Sequence, residues 1–593
     1  MKTILSIIKL TCILLIVCLF SACSLDEKLF DTLSVPNVSN TDDVNALVEG
    51  CYSEFSGTDG FKSHGFYIIT VTADDVITKD DLAAPYGLKT YTGANTNNFW
   101  GVLYRTIRHT NTTISEAERL AASADSAQSV QYIQYASEAR FVRAFSYYYL
   151  VRLFGDVPLR LDKVDSGSDL YLPRASVGDV YAQIFADLDS ANIHCPAVAV
   201  KSGRATKGAA QAIMASAKLT FASWLNNNNK SYTSPDGVQL TAADEFQESV
   251  NWCDSVINSG KYRLFDDYAF LWNIMNESLV GSEVIFSLQF VVDDMASLGP
   301  ARGSEFAYRF LPNNYVGGAV AGNTASGQFK ITPAFFQEYY DDRTYTHQGS
   351  TRSVLDTLDY RIESSFFYRW TNTNNNRDIV ACPFAYLGTS SNPNLMSSAP
   401  FVKKYMDPNG KDIRNQGCDL DIIRFSEIYL IKAEALNELD RLNEAIDALN
   451  VVRNRASRAG TTTDGFRQVP ELLTSATATD KGTMRSIILK ERGLELIGEG
   501  TRWFDLVRMK SPDGSETMFD YRFRMFSDEG RYPRSLPSSS DNGVSWDNKN
   551  YVYWDCFQRI CDYRAKPNRY RLFPIPTNEI ENNKNITENN PGW

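Results

Sequence analysis

Residues 421–456 constrain the fold most. Placed at 100° per residue, Phe425, Ile428, Ala435, Leu436 and Leu439 fall on one helical face, and Glu427, Glu434 and Glu438 fall on the other. After a break at Asp440, Arg441 and Leu442, the residues Ala445, Ala448, Leu449, Val452 and Ala456 line one face of a second helix. Small Ala side chains at these positions let two antiparallel helices approach closely. The pair is about 34 residues long, the period of a tetratricopeptide repeat. Ala433-x-x-Leu436 and Glu444-Ala445-Ile446-x-Ala448-Leu449 look like that repeat's signature. One such pair cannot bury its apolar face alone, so further helices must stack on it. Helical periodicity near 41–55, 97–121, 127–153, 176–192, 206–225, 242–259 and 481–498 supplies them. The predicted fold is mostly α: a right-handed, tetratricopeptide-repeat-like helical solenoid.

The pattern breaks between about 262 and 420. Glu283 to Phe290 reads as a strand, and Gly, Asn, Ser and Pro become common, as at Gly317-Gly318 and Asn372 to Asn376. This is a loop-rich insert containing short β-strands, and a second irregular segment runs from Ser511 to Asn568. The predicted organisation is a signal segment over 1–22 and a single domain over 23–593. That domain divides into a helical part at about 41–260, the insert at about 261–420, and C-terminal helices with a tail at about 421–593. Long loops on a folded scaffold are where binding residues concentrate.

Composition removes several functions. The chain has 593 residues, with 43% hydrophobic and 22% charged, which is ordinary globular usage. A net charge of −12 opposes nucleic-acid binding, which needs a basic face. His64, His109, His194 and His347 are scattered, so no His-based metal site is expected. Asp74-Asp75 is oxygen-rich but matches no calcium-loop spacing, and no cofactor is predicted.

No catalytic motif emerges either. There is no G-x-S-x-G elbow and no H-E-x-x-H. Gly203-Arg204-Ala205-Thr206-Lys207-Gly208 begins like a phosphate loop but continues Ala209-Ala210, where Lys-Ser/Thr is needed, so it reads as helix entry. Among 71 Asp and Glu residues nothing singles out a catalytic pair. Glu491-Arg492-x-x-Glu495 and Gly500 to Arg508 read as i+3 and i+4 charge pairs locking the last helix to the solenoid, rather than as an anion site.

The N-terminus carries an address. Lys2 and Lys9 precede an apolar run from Leu10 to Phe20, shorter than the roughly 20 residues a membrane-spanning helix needs. It reads as a secretory signal peptide. Leu19-Phe20-Ser21-Ala22-Cys23 resembles a bacterial lipobox, with Phe20 in place of the usual Leu, so Cys23 is the expected lipid-bearing residue; the alternative is a plain signal peptide cut nearby. Asp26-Glu27 resembles the export signal of surface lipoproteins in some Gram-negative bacteria. Loss of Lys2 and Lys9 takes the net charge from −12 to −14. Seven cysteines remain beyond Cys23: Cys51, Cys195, Cys253, Cys382, Cys418, Cys556 and Cys561. Buried, inert thiols are expected, with a Cys556–Cys561 bridge as the alternative in an oxidising compartment.

The order of short motifs resembles the SusD/RagB family of outer-membrane nutrient-binding lipoproteins. After Cys23 come Trp100-x-x-Leu103-Tyr104-x-x-Ile107-x-x-x-Asn111, Glu138-Ala139-Arg140-Phe141-x-Arg143-Ala144, and Leu153-Phe154-Gly155-Asp156-Val157-Pro158-Leu159. Gly203 to Ala210, Arg424 to Ala435, and Glu491 to Arg508 follow. The chain closes with Leu572-Phe573-Pro574-Ile575-Pro576 and Asn589-Asn590-Pro591-Gly592-Trp593. Each motif alone is weak; their joint order spans most of the mature chain.

The resemblance implies a solenoid carrying a looped ligand face and a SusC-like TonB-dependent transporter as partner. It implies capture of oligosaccharides without cleavage. Peptide binding in the RagB manner, or a scaffold role without ligand, are the alternatives.

Sugars present apolar C–H faces rimmed by hydroxyls, which Tyr and Trp rings with Asn, Asp and Arg partners match. The early loop offers Asp74, Asp75, Lys79, Asp81, Tyr86, Tyr91, Asn97 and Asn98. The insert offers Tyr308, Phe310, Asn313, Asn314, Tyr315 and, more weakly, Trp370 with Asn372. Trp100 reads as core, on a helix face with Leu103, Tyr104 and Ile107. If Cys23 carries the anchor, Cys23→Ala abolishes incorporation of labelled palmitate and releases the protein from the membrane fraction. Retention of label in that variant contradicts the assignment.

Overall fold

A helix begins where a side chain can accept the backbone N–H groups that its first turn leaves unpaired. The computed structural model describes residues 38–78, 91–164, 169–276, 283–292, 303–312, 327–331, 335–336, 338–339, 359–367, 369–372, 377–380, 401–407, 414–458, 470–522 and 569–593. In it, Asn40 caps α1 (Thr41–Ser53). The next helices are α2 (His64–Val71) and α3 (Gly93–Ala121). Asp125 caps α4 (Ser126–Phe154), Ser176 caps α5 (Val177–His194) and Thr206 caps α6 (Lys207–Asn228). Thr241 caps α7 (Ala242–Asn258). After the insert come α8 (Phe425–Glu438) and α9 (Leu442–Arg458), then α10 (Lys481–Leu496), capped by Asp480, and α11 (Arg502–Arg508). Thr206 heading α6 confirms that the phosphate-loop-like segment is a helix entry; Gly203 there takes φ +78°, where a Cβ would also collide with Gln289.

Each helix packs on the next, α3 on α4, α4 on α5, α5 on α6 and α6 on α7. The series continues from α7 to α8, although residues 259–424 intervene, and then from α8 to α9 and α10. The insert therefore leaves and re-enters the solenoid between two neighbouring helices. Contact is close because the facing residues are small: Ala209, Ala212 and Ala215 of α6 and Ala445 and Ala456 of α9 are fully buried. Among the described residues no helix is long and apolar enough to cross a membrane.

Four short strands tie the insert down. β1 (Val76–Thr78) pairs antiparallel with β3 (Phe329–Ile331), and β2 (Val284–Leu288) pairs antiparallel with β4 (Leu420–Arg424). The helical reading from 421 is thus corrected: residues 420–424 are extended and the helix starts at Phe425. Helix α2 was not predicted, because His64–Val71 is apolar almost throughout and buried on every side, which leaves no periodic stripe to read.

The charged face of α8 is not solvated. Glu427 and Glu434 are buried, Glu427 taking Arg492 at 2.9 Å and Glu434 taking Arg508. Arg492 also reaches Asp505 at 2.8 Å. Nearer the insert, Arg424 binds Glu283 at 2.8 Å, Glu495 at 2.6 Å and Glu499 at 2.9 Å, with every partner buried. Arg455 binds Glu283 at 2.7 Å and also Glu495, while Arg361 binds Asp359 at 2.6 Å, Glu491 at 2.8 Å and Glu495 at 3.0 Å. The predicted locking of the last helices is present, but mostly through partners far apart in sequence; of those expected at helical spacing, Asp505–Arg508 is one.

The C-terminal tail is sewn to the end of α4. Gly155 leaves that helix at φ +71°. Asn590 Nδ2 donates to the carbonyls of Phe154, at 2.8 Å, and Phe573, at 2.6 Å, and Phe573 N–H donates to the Leu153 carbonyl at 2.8 Å. Cys51, Cys195, Cys253 and Cys418 are buried, and burial pushes the Cys51 and Cys195 thiols up to about 12. Cys382, Cys556 and Cys561 lie outside the described residues.

Removing one member of a buried ion cluster strands the others without compensation. Arg424→Met is expected to cost about 3–5 kcal/mol in denaturant unfolding. Adding Glu495→Gln is expected to cost less than the sum of the single changes, because the second substitution removes a charge the first has stranded. A loss under about 1 kcal/mol for Arg424→Met contradicts the cluster's structural role.

Candidate functional site: a polar and aromatic strip at the base of the insert

The site is built where the early loop meets the insert. Thr78 of β1 sits opposite Phe329 of β3, so the chain enters 79–90 directly beside the insert. The Phe329 ring contacts Tyr67 of α2 at 5.4 Å and Phe310 at 5.5 Å between centroids. From there polar and aromatic groups lead along the molecule in two accessible clusters joined by the buried Tyr67. Asn98 Nδ2 donates to Asp59 Oδ1 at 2.9 Å, and His64 Nδ1 lies 3.3 Å from the same oxygen. The His64 ring stands 6.1 Å from Tyr67. The Arg309 guanidinium lies over Tyr67 at 5.1 Å and over Tyr308 at 5.0 Å, and Arg414 covers Tyr308 at 4.1 Å. Asn98 and Arg414 are exposed; His64, Tyr308 and Arg309 are half-buried.

This arrangement suits a hydroxylated ring. Asn98, Asp59 and His64 offer donors and acceptors side by side, and the two guanidiniums that border the Tyr308 ring offer further donors. Nothing in the strip pairs a nucleophile with a general base and an orienting third group. Of the sequence-predicted residues, Asn98 and Tyr308 lie in it. Asn97 is half-buried on α3. His64, Asp59, Arg309 and Arg414 were not predicted: their partners lie in other segments, and a lone His or Arg carries no local motif.

Four candidates are corrected. Asp74 and Asp75 are buried, and Asp74 is held by Arg502 at 2.8 Å and Arg522 at 2.6 Å. Tyr91 is fully buried between Phe573, at 4.8 Å, and Trp593, at 5.0 Å. Phe310 is fully buried, stacked on Tyr405 at 5.7 Å. These four belong to the base that carries the site, where no ligand reaches them. Lys79, Asp81, Tyr86, Asn313, Asn314 and Tyr315 lie outside the described residues; Trp370 sits on the strand Arg369–Asn372, and nothing is described of its side chain. Trp100 is core, as predicted.

Adjacent Asp74 and Asp75 are driven apart electrostatically. Burial opposes ionisation of Asp74, but Arg502 and Arg522 outweigh it and hold its carboxyl well below the usual range. Burial, then the neighbouring Asp74 charge, push Asp75 up to about 7. Between an unfolded value near 4 and about 7 the native protein keeps a proton on Asp75 that the unfolded chain releases, so this group's contribution to stability falls as pH rises through that window. Asp75→Asn is therefore expected to raise the free energy of unfolding relative to the unaltered protein at pH 8 more than at pH 4, by an amount on the order of a few kcal/mol. An equal effect at both pH values contradicts it.

Comparison with known proteins agrees with this architecture. A family model described as "SusD family" matches residues 282–593, and one described as "Starch-binding associating with outer membrane" matches residues 69–219. The chain is 24% identical over 601 residues to a SusD-like protein P2 from Formosa agariphila, covering 99% of each. A SusD homologue from Bacteroides thetaiotaomicron shares the fold with a TM-score of 0.69 at 18% identity, over 94% of this chain and 98% of that one. A laminarin-binding SusD-like protein does so with a TM-score of 0.62 at 19% identity, over 94% and 100%. With more than half of its length under the first family model, this chain belongs to the SusD/RagB family.

Proposed function

We propose that this protein is an outer-membrane lipoprotein, anchored through Cys23 and facing the cell exterior, that captures an oligosaccharide. It holds the sugar by stacking and hydrogen bonding and delivers it uncleaved to a SusC-like TonB-dependent transporter. The observation that carries the reading is the strip: β1–β3 pairing brings the early loop and the insert together beside Asn98, His64, Arg309 and Tyr308. The matched description of starch binding at the outer membrane and the laminarin-binding neighbour support a glycan as ligand. The helical solenoid is the side that docks on the transporter, leaving the strip to face the ligand.

The test is retention of the soluble chain beginning at Ser24 on a panel of host, plant and microbial polysaccharides and on a peptide pool, with reducing ends assayed in parallel. Saturable glycan binding without new reducing ends is expected. Loss of ring contact in Tyr308→Ala is expected to weaken that binding about three- to tenfold, the scale of one aromatic contact. Retention of peptide alone, or unchanged affinity in both Tyr308→Ala and Asn98→Ala, contradicts the reading.

A further inference from the structure

A second cavity lies apart from the strip. It is a groove of about 650 Å³ walled by the ends of α4 and α6, by α11 and by the tail around 571–591. That volume falls in the range of small-molecule sites. Between it and the strip stand packed rings, Phe61 on Tyr149 at 4.9 Å and Tyr149 on Phe504 at 5.9 Å.

Its charge runs against that of the chain. The protein carries 71 acidic and 59 basic residues, yet six basic side chains line the groove against the three carboxylates of Asp156, Glu516 and Glu588. Two of the six are already neutralised, Arg508 by Glu434 and Asp505 and Arg571 by Asp520. Arg174 is held by Asn590 and by the carbonyls of Asp156 and Phe154. Arg152, Lys230 and Lys510 have no carboxylate partner among the described residues. The Arg152 guanidinium lies 3.7 Å over Tyr148 and 3.9 Å over Phe504, and its Nε donates to the Tyr148 carbonyl. It is thus held in place with its remaining N–H groups unused by any acid. Trp224 stacks one face on Phe221, with planes 10° apart, and Lys230 lies 5.5 Å from its ring. Asn227 and Asn228 flank it on the same wall.

We propose that this groove is a second saccharide site, selective for an acidic sugar. Arg152, Lys230 and Lys510 receive the carboxylate or sulfate, and Trp224 borders the ring. A guanidinium fixed between two aromatic rings loses little freedom on binding an oxyanion, and an aromatic edge beside it distinguishes an acidic sugar from a bare ion.

The test is calorimetric titration of the mature chain with trigalacturonate, a sulfated galactose trisaccharide, neutral laminaritriose and inorganic sulfate. At least one acidic trisaccharide is expected to bind. Lys230→Ala, an exposed change that leaves the fold intact, and Arg152→Gln are each expected to weaken it about fivefold or more. Added salt is expected to weaken it further, and Tyr308→Ala to leave it unchanged. The preferred trisaccharide distinguishes carboxylate from sulfate. Absence of binding by both acidic trisaccharides, or binding that neither Lys230→Ala nor Arg152→Gln alters, overturns the proposal. So does loss of binding in Tyr308→Ala, which assigns the acid to the strip, or inorganic sulfate binding as tightly as the sugars. Capture of a neutral glycan at the strip stands or falls separately, on Tyr308→Ala.

Discussion

The join between solenoid and insert rests on a buried cluster of charge. Arg424, Arg455 and Arg361 converge on Glu283, Glu491, Glu495 and Glu499, all removed from water. Bringing such ions out of solvent is expensive, and their mutual attraction offsets the cost only when geometry is good and partners are complete. The cluster therefore favours one arrangement of the chain and penalises every incomplete one. Glu283 stands just before the insert's first described strand and Arg424 at the end of its last; the two pair with each other, Arg424 reaches Glu495 of α10, and Arg455 of α9 bridges Glu283 and Glu495. The excursion from the solenoid is closed at its root by electrostatics as well as by the β2–β4 pairing.

That closure fixes the root of the insert against the solenoid. The solenoid continues from α7 to α8 as though the insert were absent, so the insert adds a layer without interrupting the stack. A second ion set, Asp74 with Arg502 and Arg522, secures the segment leading into β1 against α11. Aromatic rings from Phe66 through Phe310 to Tyr405 then fill the space beneath the strip. The polar groups above are carried on α2, on the first turns of α3 and on the short helix Phe306–Phe310.

Legibility in the sequence followed the range of the interactions. Helices α1 and α3 to α10 were readable because their helical character is written in neighbouring residues, and Trp100 was placed correctly by its spacing to Leu103 and Ile107. Asp74, Asp75, Tyr91 and Phe310 looked like ligand residues because polar and aromatic side chains in an irregular stretch are what a sugar site requires. Their burial depends on partners supplied from elsewhere: Arg502 for Asp74, Phe573 and Trp593 for Tyr91, Tyr405 for Phe310. No local pattern announces such pairings. The carboxylates of α8 illustrate the same limit, since Glu427 and Glu434 have the spacing of a solvated face and lie instead against Arg492 and Arg508. Asn98 and Tyr308 differ in that an exposed Asn and a half-exposed Tyr need only their own segment to reach the surface.

Solenoid and insert root form one cooperative body on which the polar strip is mounted. Native-state hydrogen exchange tests it most directly. Amides of β2, β4 and the middle of α10 are expected to exchange only through the same global opening that exposes α4, with equal free energies of opening and equal denaturant dependence. Exchange of residues 284–288 and 420–424 through a separate, lower-energy opening, while α4 stays protected, would contradict it.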